Sequence, residues 1–196
     1  ENDLPLSPGE IIVTVGANEA VAAAITGMLD EGDEVITPDP SWPHYYWCAK
    51  MVGAVPVPLP IAEEDAFEIN PDRLASLITP RTRMIVINTP YNPGGSVTPV
   101  ETLQRIADLA INHNLIVVSD EIYEKLIYDD AKHVSIGSLP GMLERTITIN
   151  GFSKAYSMTG WRLGYLAAKQ PMIPSLIKVH QYVTTCATSF AQKGAV

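Results

Sequence analysis

Short runs of apolar, β-branched residues alternate with helical patterns along the whole chain. Residues 11–15 read as a strand, and 19–29 as a helix with small and apolar residues along one side. Residues 34–37 predict a second strand, 45–51 a helix and 54–59 a third strand. Pro56 and Pro58 cannot donate to a ladder, which puts that strand at a sheet edge. A helix over 71–78 has Asn70 as its cap, and 84–88 is a strand. Thr98, Pro99 and Glu101 supply a cap, a first-turn proline and a capping-box acid for a helix running to about Asn112. Strands over 115–119, 146–150 and 162–167 follow, then a helix from Pro174 into the Thr184 region and a new helix opened by Ser189. Strands separated by helices of this length predict an α/β three-layer sandwich: a seven-stranded, mostly parallel sheet with helices on both faces. Residues 151–161 are short for a parallel crossover, so the last strand is expected to run antiparallel.

Composition narrows the class. Apolar residues make up 46% and charged residues 18%, which suits a sizeable core in one domain over residues 1–196. Thirteen basic residues against 22 acidic ones leave a net charge of -9, which argues against nucleic acid or an anionic membrane as main partner. Cys48 and Cys186 lie far apart and match no metal-type spacing, consistent with a reducing, cytoplasmic setting. The histidines His44, His113, His133 and His180 also lack metal spacing, so no metal is expected. The apolar run 21–29 is broken by Thr26 and Gly27 and is too short to span a bilayer. No basic region precedes an apolar stretch in the manner of a signal peptide. With Glu1 at its start and Val196 just inside an apparent helix, the chain reads as a piece of a longer polypeptide.

In open α/β sheets ligands bind beyond the carboxyl ends of the strands. Gly16-Ala17-Asn18 follows the first strand, Trp42 lies after the second and Asn92-Pro93-Gly94-Gly95 after the fourth. Asp120 and Tyr123 follow the fifth, Ser153-Lys154 the sixth, and Arg162 begins the seventh. Each has a plain reading alone. The first is a tight turn with an Asn cap, Trp42 is packing, the Asn-Pro-Gly-Gly run is a turn and Asp120 a cap. Lys154 is a solvated lysine, and Arg162 a carboxylate partner. Together they gather an amine, an acid, a cation, a phenol, an amide and an aromatic ring at one end of one sheet. A lysine amine needs an electrophilic carbonyl, and pyridoxal 5′-phosphate supplies one through a Schiff base. That cofactor also needs a phosphate anchor, for which backbone amides at a helix start are suited, and an acid at its ring nitrogen.

The run Gly151-Phe-Ser-Lys154-Ala-Tyr-Ser-Met-Thr-Gly-Trp-Arg162-Leu-Gly164 resembles the cofactor-lysine motif of class I/II aminotransferases of fold type I. Ser119-Asp120-Glu121-Ile122-Tyr123, Asn88-Thr-Pro-Tyr-Asn92-Pro-Gly-Gly95, Pro40-Ser-Trp42-Pro-His-Tyr45 and Gly16-Ala-Asn-Glu-Ala20 resemble further motifs of the family, in the family's order. The resemblance implies that Lys154 carries the aldimine and shuttles the α-proton, and that Asp120 keeps the ring nitrogen cationic. It implies that Tyr123 and Asn92 bond the phenolic oxygen and that Trp42 stacks on the ring. It further implies that Arg162, with Gly16, Ala17, Asn18 and Ser153, holds the phosphate. The implied reaction moves an amino group from an L-amino acid to a 2-oxo acid, in a homodimer. A cis Asn92-Pro93 bond is usual in such proteins.

There are departures. Gly151 stands where the family often has Ser, removing one phosphate hydroxyl, and Gly94 stands in place of the usual Thr, which is expected to loosen that loop. The family's substrate-carboxylate arginine falls in a small domain beyond Val196, and its N-terminal segment falls before Glu1. The same scaffold also serves carbon–sulfur β-lyases, cyclopropane-forming synthases and cofactor-sensing domains of transcription regulators, which stand as alternatives.

Overall fold

A computed structural model describes residues 2–196. Its frame is one sheet built from β1 (Ile11–Thr14), β2 (Glu34–Asp39), β3 (Val55–Pro60), β4 (Thr82–Asn88), β5 (Ile116–Asp120), β6 (Thr146–Gly151) and β7 (Gly164–Ala167). Their spatial order is β1-β7-β6-β5-β4-β2-β3. The pairs β2–β3, β2–β4, β4–β5 and β5–β6 are parallel, whereas β7 is antiparallel to both β6 and β1. The single reversed strand is therefore the last one, as the short link before it requires, and the proline-bearing β3 lies at the edge.

Alternation along the buried strands sends side chains to two cores. Val35, Met84 and Val86 pack on one face with α1 (Gly16–Met28), α2 (His44–Met51) and α5 (Ile173–Val183). Ile36, Ile85 and Ile87 pack on the other with α3 (Pro71–Leu77) and α4 (Val100–Asn112). Alanines at 20, 23 and 24 are fully buried and let α1 lie close to the sheet. A short α6 (Ser189–Gly194) follows. Among the described residues no helix is long and apolar enough to cross a membrane.

Local signals held unevenly. Asn70 caps α3, its side chain accepting from the Asp72 and Arg73 amides. The expected capping box at Thr98 is absent: Pro99 is the cap of α4 and makes no side-chain cap bond. The Thr98 amide instead donates 3.0 Å to the Thr89 hydroxyl, which holds Thr98 against the β4 loop and starts the helix one residue later. The first helix begins at Gly16 rather than 19, capped by Val15, so Asn18 lies inside its first turn and is not its cap. Arg162 does not begin β7. It has a left-handed backbone (φ 50°), which turns the chain into the reversed strand and cannot be extended itself.

Candidate active site

The carboxyl ends of the parallel strands open into a cavity of about 350 Å³. From the start of α1 come Ala17 and Asn18, and from the β2–α2 loop comes Trp42. Asn92 reaches it from the loop after β4, and Asp120 and Tyr123 from the end of β5. Ser153, Lys154 and Arg162 reach it from the β6–β7 connection. Gly16 sits directly behind, as the first residue of α1. The sequence thus placed its candidates in one site. It missed the roles of Tyr45 and Asn88, and it passed over Ile122 and Thr159, which also line the cavity.

Two glycines bring the strand and helix together. A Cβ on Gly164 would lie 2.6 Å from the Ala17 amide nitrogen, so β7 admits the start of α1 only because position 164 has no side chain. Gly16 has φ +78°, and a Cβ there would lie 2.5 Å from Arg162 Nη2. The guanidinium therefore rests against the bare backbone at the helix start. Val15 offers no side-chain acceptor to α1, which leaves first-turn N–H groups for an anion. Arg162 Nη1 donates 2.9 Å to the Thr159 carbonyl, and among the described residues no carboxylate pairs with Arg162.

Asp120 is 2% exposed. Burial is the main cause that pushes its carboxyl up to about 6, and the Glu121 charge adds to it. Against that, the Tyr45 hydroxyl donates 2.6 Å to Oδ2 and the Ile122 amide donates 3.3 Å to Oδ1. Tyr45 itself is buried and its phenol is held well above the ordinary value, so it remains the donor. Among the described residues no cation pairs with Asp120. Strand alternation turns the neighbouring Glu121 away, where Asn2, Ser119, His133 and Ser135 donate to its carboxylate. Glu121, Glu124 and His133 bring donor atoms within 4.8 Å of one another; four donors already occupy Glu121, whereas Glu124 Oε2 and His133 Nδ1 are buried without a hydrogen-bond partner among the described residues.

Asn88 ends β4 and works in both directions. Its Nδ2 donates 3.0 Å to the Asp120 carbonyl, and its Oδ1 accepts from the Asn92 amide at 2.8 Å. A polar residue closing an apolar strand, four positions before Asn92, was the available signal. The Asn92-Pro93 bond is cis. Lys154 Nζ lies 5.8 Å from the centre of the Tyr123 ring. Burial, then the charge of Asp120, raise the Tyr123 phenol above its ordinary value, so it keeps its proton.

The loop carrying Asn92 is not loosened by Gly94. Phe67 fills the space a side chain would use: a Cβ at 94 would lie 2.5 Å from Phe67 Cβ and 2.9 Å from Tyr91 Cδ1. Ser96 Oγ donates 2.6 Å to the Phe67 carbonyl, and the Gly95 amide donates 2.7 Å to the Tyr91 carbonyl. Gly94→Thr is therefore expected to destabilise the fold by about 1–3 kcal/mol through overpacking. Phe67→Gly in the same chain removes the Cβ at 2.5 Å and the Cγ at 2.7 Å, and should return part of that loss in urea unfolding. An unchanged midpoint for Gly94→Thr would refute the contact.

A family model described as aminotransferase class I and II matches residues 1–196. The aspartate aminotransferase of Pyrococcus abyssi (strain GE5 / Orsay) is 46% identical over 196 residues, which take in 100% of this chain and 50% of that protein. Aromatic-amino-acid aminotransferase 2 of Thermococcus litoralis is 42% identical over 186 residues, 95% of this chain and 48% of that protein. Among solved structures, Thermus thermophilus aspartate aminotransferase with maleate superposes with a TM-score of 0.94 at 40% identity, covering 98% of this chain and 50% of that one. The chain spans about half the length of the curated relatives it matches.

Proposed function

The chain belongs to the aminotransferase class I and II family, and on that premise we propose that residues 1–196 form the cofactor-binding large domain of a pyridoxal 5′-phosphate enzyme. Its reaction moves an amino group from an L-amino acid to a 2-oxo acid. The observation that carries the reading is the charge pattern of the cavity. Among the described residues, a buried acid without a cation and an arginine without a carboxylate line the same space as the Lys154 amine.

That pattern fits the cofactor. A ring nitrogen bearing a proton satisfies the Asp120 carboxylate, and a phosphate satisfies Arg162, the Ser153 hydroxyl and the first-turn amides of Ala17 and Asn18. When bound, the group supplies an aldehyde carbon open to amine attack and a cationic ring that draws electrons from the substrate α-carbon. Lys154 would offer its amine to that carbon and would hold and move a proton at the substrate α-carbon. Asp120 holds the proton on the ring nitrogen, and Tyr45 holds Asp120. Tyr123 and Asn92 donate to the ring's phenolic oxygen. Trp42 covers one face and keeps water off it.

In this reading the whole protein works in the cytoplasm as a homodimer, and the two unpaired cysteines are consistent with that compartment. Relatives named for aspartate and for aromatic amino acids make those the first donors to try. A coupled assay of the whole protein over amino-acid and 2-oxo-acid pairs should give ping-pong kinetics with turnover of ~1–10³ s⁻¹. A protein that binds the cofactor yet turns over no pair would contradict the reaction. For the phosphate end, Arg162→Ala is expected to weaken cofactor affinity about tenfold to a hundredfold, the effect of one charge-assisted contact. Unchanged affinity would make Arg162 a structural partner of the Thr159 carbonyl alone.

A further inference from the structure

We propose that His44 is a positioning residue of this site, tying the Trp42 wall to the first turn of α1. The inference rests on the cofactor reading above, in which that turn holds the phosphate.

His44 opens α2 and does not line the cavity, but it touches two residues that do. Its ring lies 4.6 Å from the Trp42 ring at a tilt of 36°. Its Nε2 lies 2.9 Å from the Asn18 carbonyl oxygen. A carbonyl only accepts, so Nε2 carries the hydrogen in this bond. One helical turn on, Cys48 Sγ packs against the ring, 3.4 Å from Nε2 and 3.8 Å from Nδ1, and burial pushes that thiol up to about 11, so it stays protonated. The ring is thus fixed from α2 on one side and bonded to α1 on the other.

Trp42 has a second neighbour. Tyr45 meets it edge-on at 5.6 Å, and the Tyr45 hydroxyl reaches Asp120. The aromatic wall therefore sits between two rings. One is anchored at the acid that faces the ring nitrogen, the other at the turn that faces the phosphate. His44 supplies the second anchor, so the position of the wall and the position of the anion-binding turn are set together.

Two substitutions separate the parts of this role. His44→Phe keeps a ring beside Trp42 and loses the donor. His44→Gln keeps an amide donor near Nε2 and loses the ring. Each is made in the whole protein and titrated with pyridoxal 5′-phosphate and with pyridoxal, following quenching of tryptophan fluorescence. The readout is the ratio of the two affinities, which general loosening of the fold would not move. The ratio should fall about fivefold in His44→Phe, as for one lost hydrogen bond, and hold in His44→Gln. An unchanged ratio in His44→Phe, or an equal fall in both variants, overturns the role of His44. Failure of the unsubstituted protein to prefer the phosphorylated ligand overturns the cofactor reading instead.

Discussion

Lys154→Ala is expected to lower amino-transfer turnover by at least ~10²–10⁴, the usual contribution of a positioned acid–base group. The true loss should exceed that, because the same side chain also provides the nucleophile. Cofactor affinity should fall far less. Arg162, Ser153, Asp120 and Trp42 line the cavity independently of Lys154, and all remain. Single-turnover absorbance changes with a saturating amino acid separate the two effects. A variant that converts amino acid at near the original rate would remove Lys154 from the chemistry.

Asp120→Asn should have opposite effects on rate and on stability. In the proposed site the carboxylate stabilises positive charge at the ring nitrogen. Removing such a group at a reacting centre costs ~3–4 kcal/mol, or roughly 10²–10³ in the half-reaction rate. Without cofactor the same carboxylate is a liability. Its folded pKa of about 6 lies above the ordinary 3.8, so the fold disfavours the ionised form. The penalty is absent below about pH 4, grows as pH rises through the folded value, and is complete above about pH 7. At about 2 pH units it amounts to about 3 kcal/mol. Cofactor-free protein should therefore lose stability between pH 4 and 7, while Asp120→Asn, which still accepts from Tyr45, should not. Urea unfolding of both proteins at pH 4 and pH 8 checks this. Equal midpoint differences at the two pH values would refute the buried, unpaired acid.

The features legible in the sequence are those written in neighbouring residues. Apolar, β-branched runs gave the strands, Pro56 and Pro58 the edge, and Asn70 before Pro71 the cap of α3. The motif residues after successive strands meet because parallel strands point their carboxyl ends the same way. What escaped depends on partners distant in sequence. Tyr45 reaches Asp120 across 75 positions, and Ser96 reaches Phe67 across 29. Gly94 looked like a loosening substitution because nothing local announces that Phe67 occupies the space above it. Thr98 looked like a cap because its spacing to Glu101 is right, yet its amide is taken by Thr89 from the preceding loop. Arg162 looked like the start of a strand because apolar residues follow it, while the chain needs a left-handed residue there to reverse.

The amine in the cavity is expected to be the one that meets the cofactor. The chain has seven lysines: Lys50, Lys125, Lys132, Lys154, Lys169, Lys178 and Lys193. The protein is mixed with pyridoxal 5′-phosphate and reduced with borohydride, whose hydride turns the carbon–nitrogen double bond into a stable secondary amine. It is then digested and the labelled peptide mapped by mass spectrometry. The expected result is one modification per chain, on Lys154, absent from Lys154→Ala. Label on another lysine with Lys154 left unmodified would contradict the account.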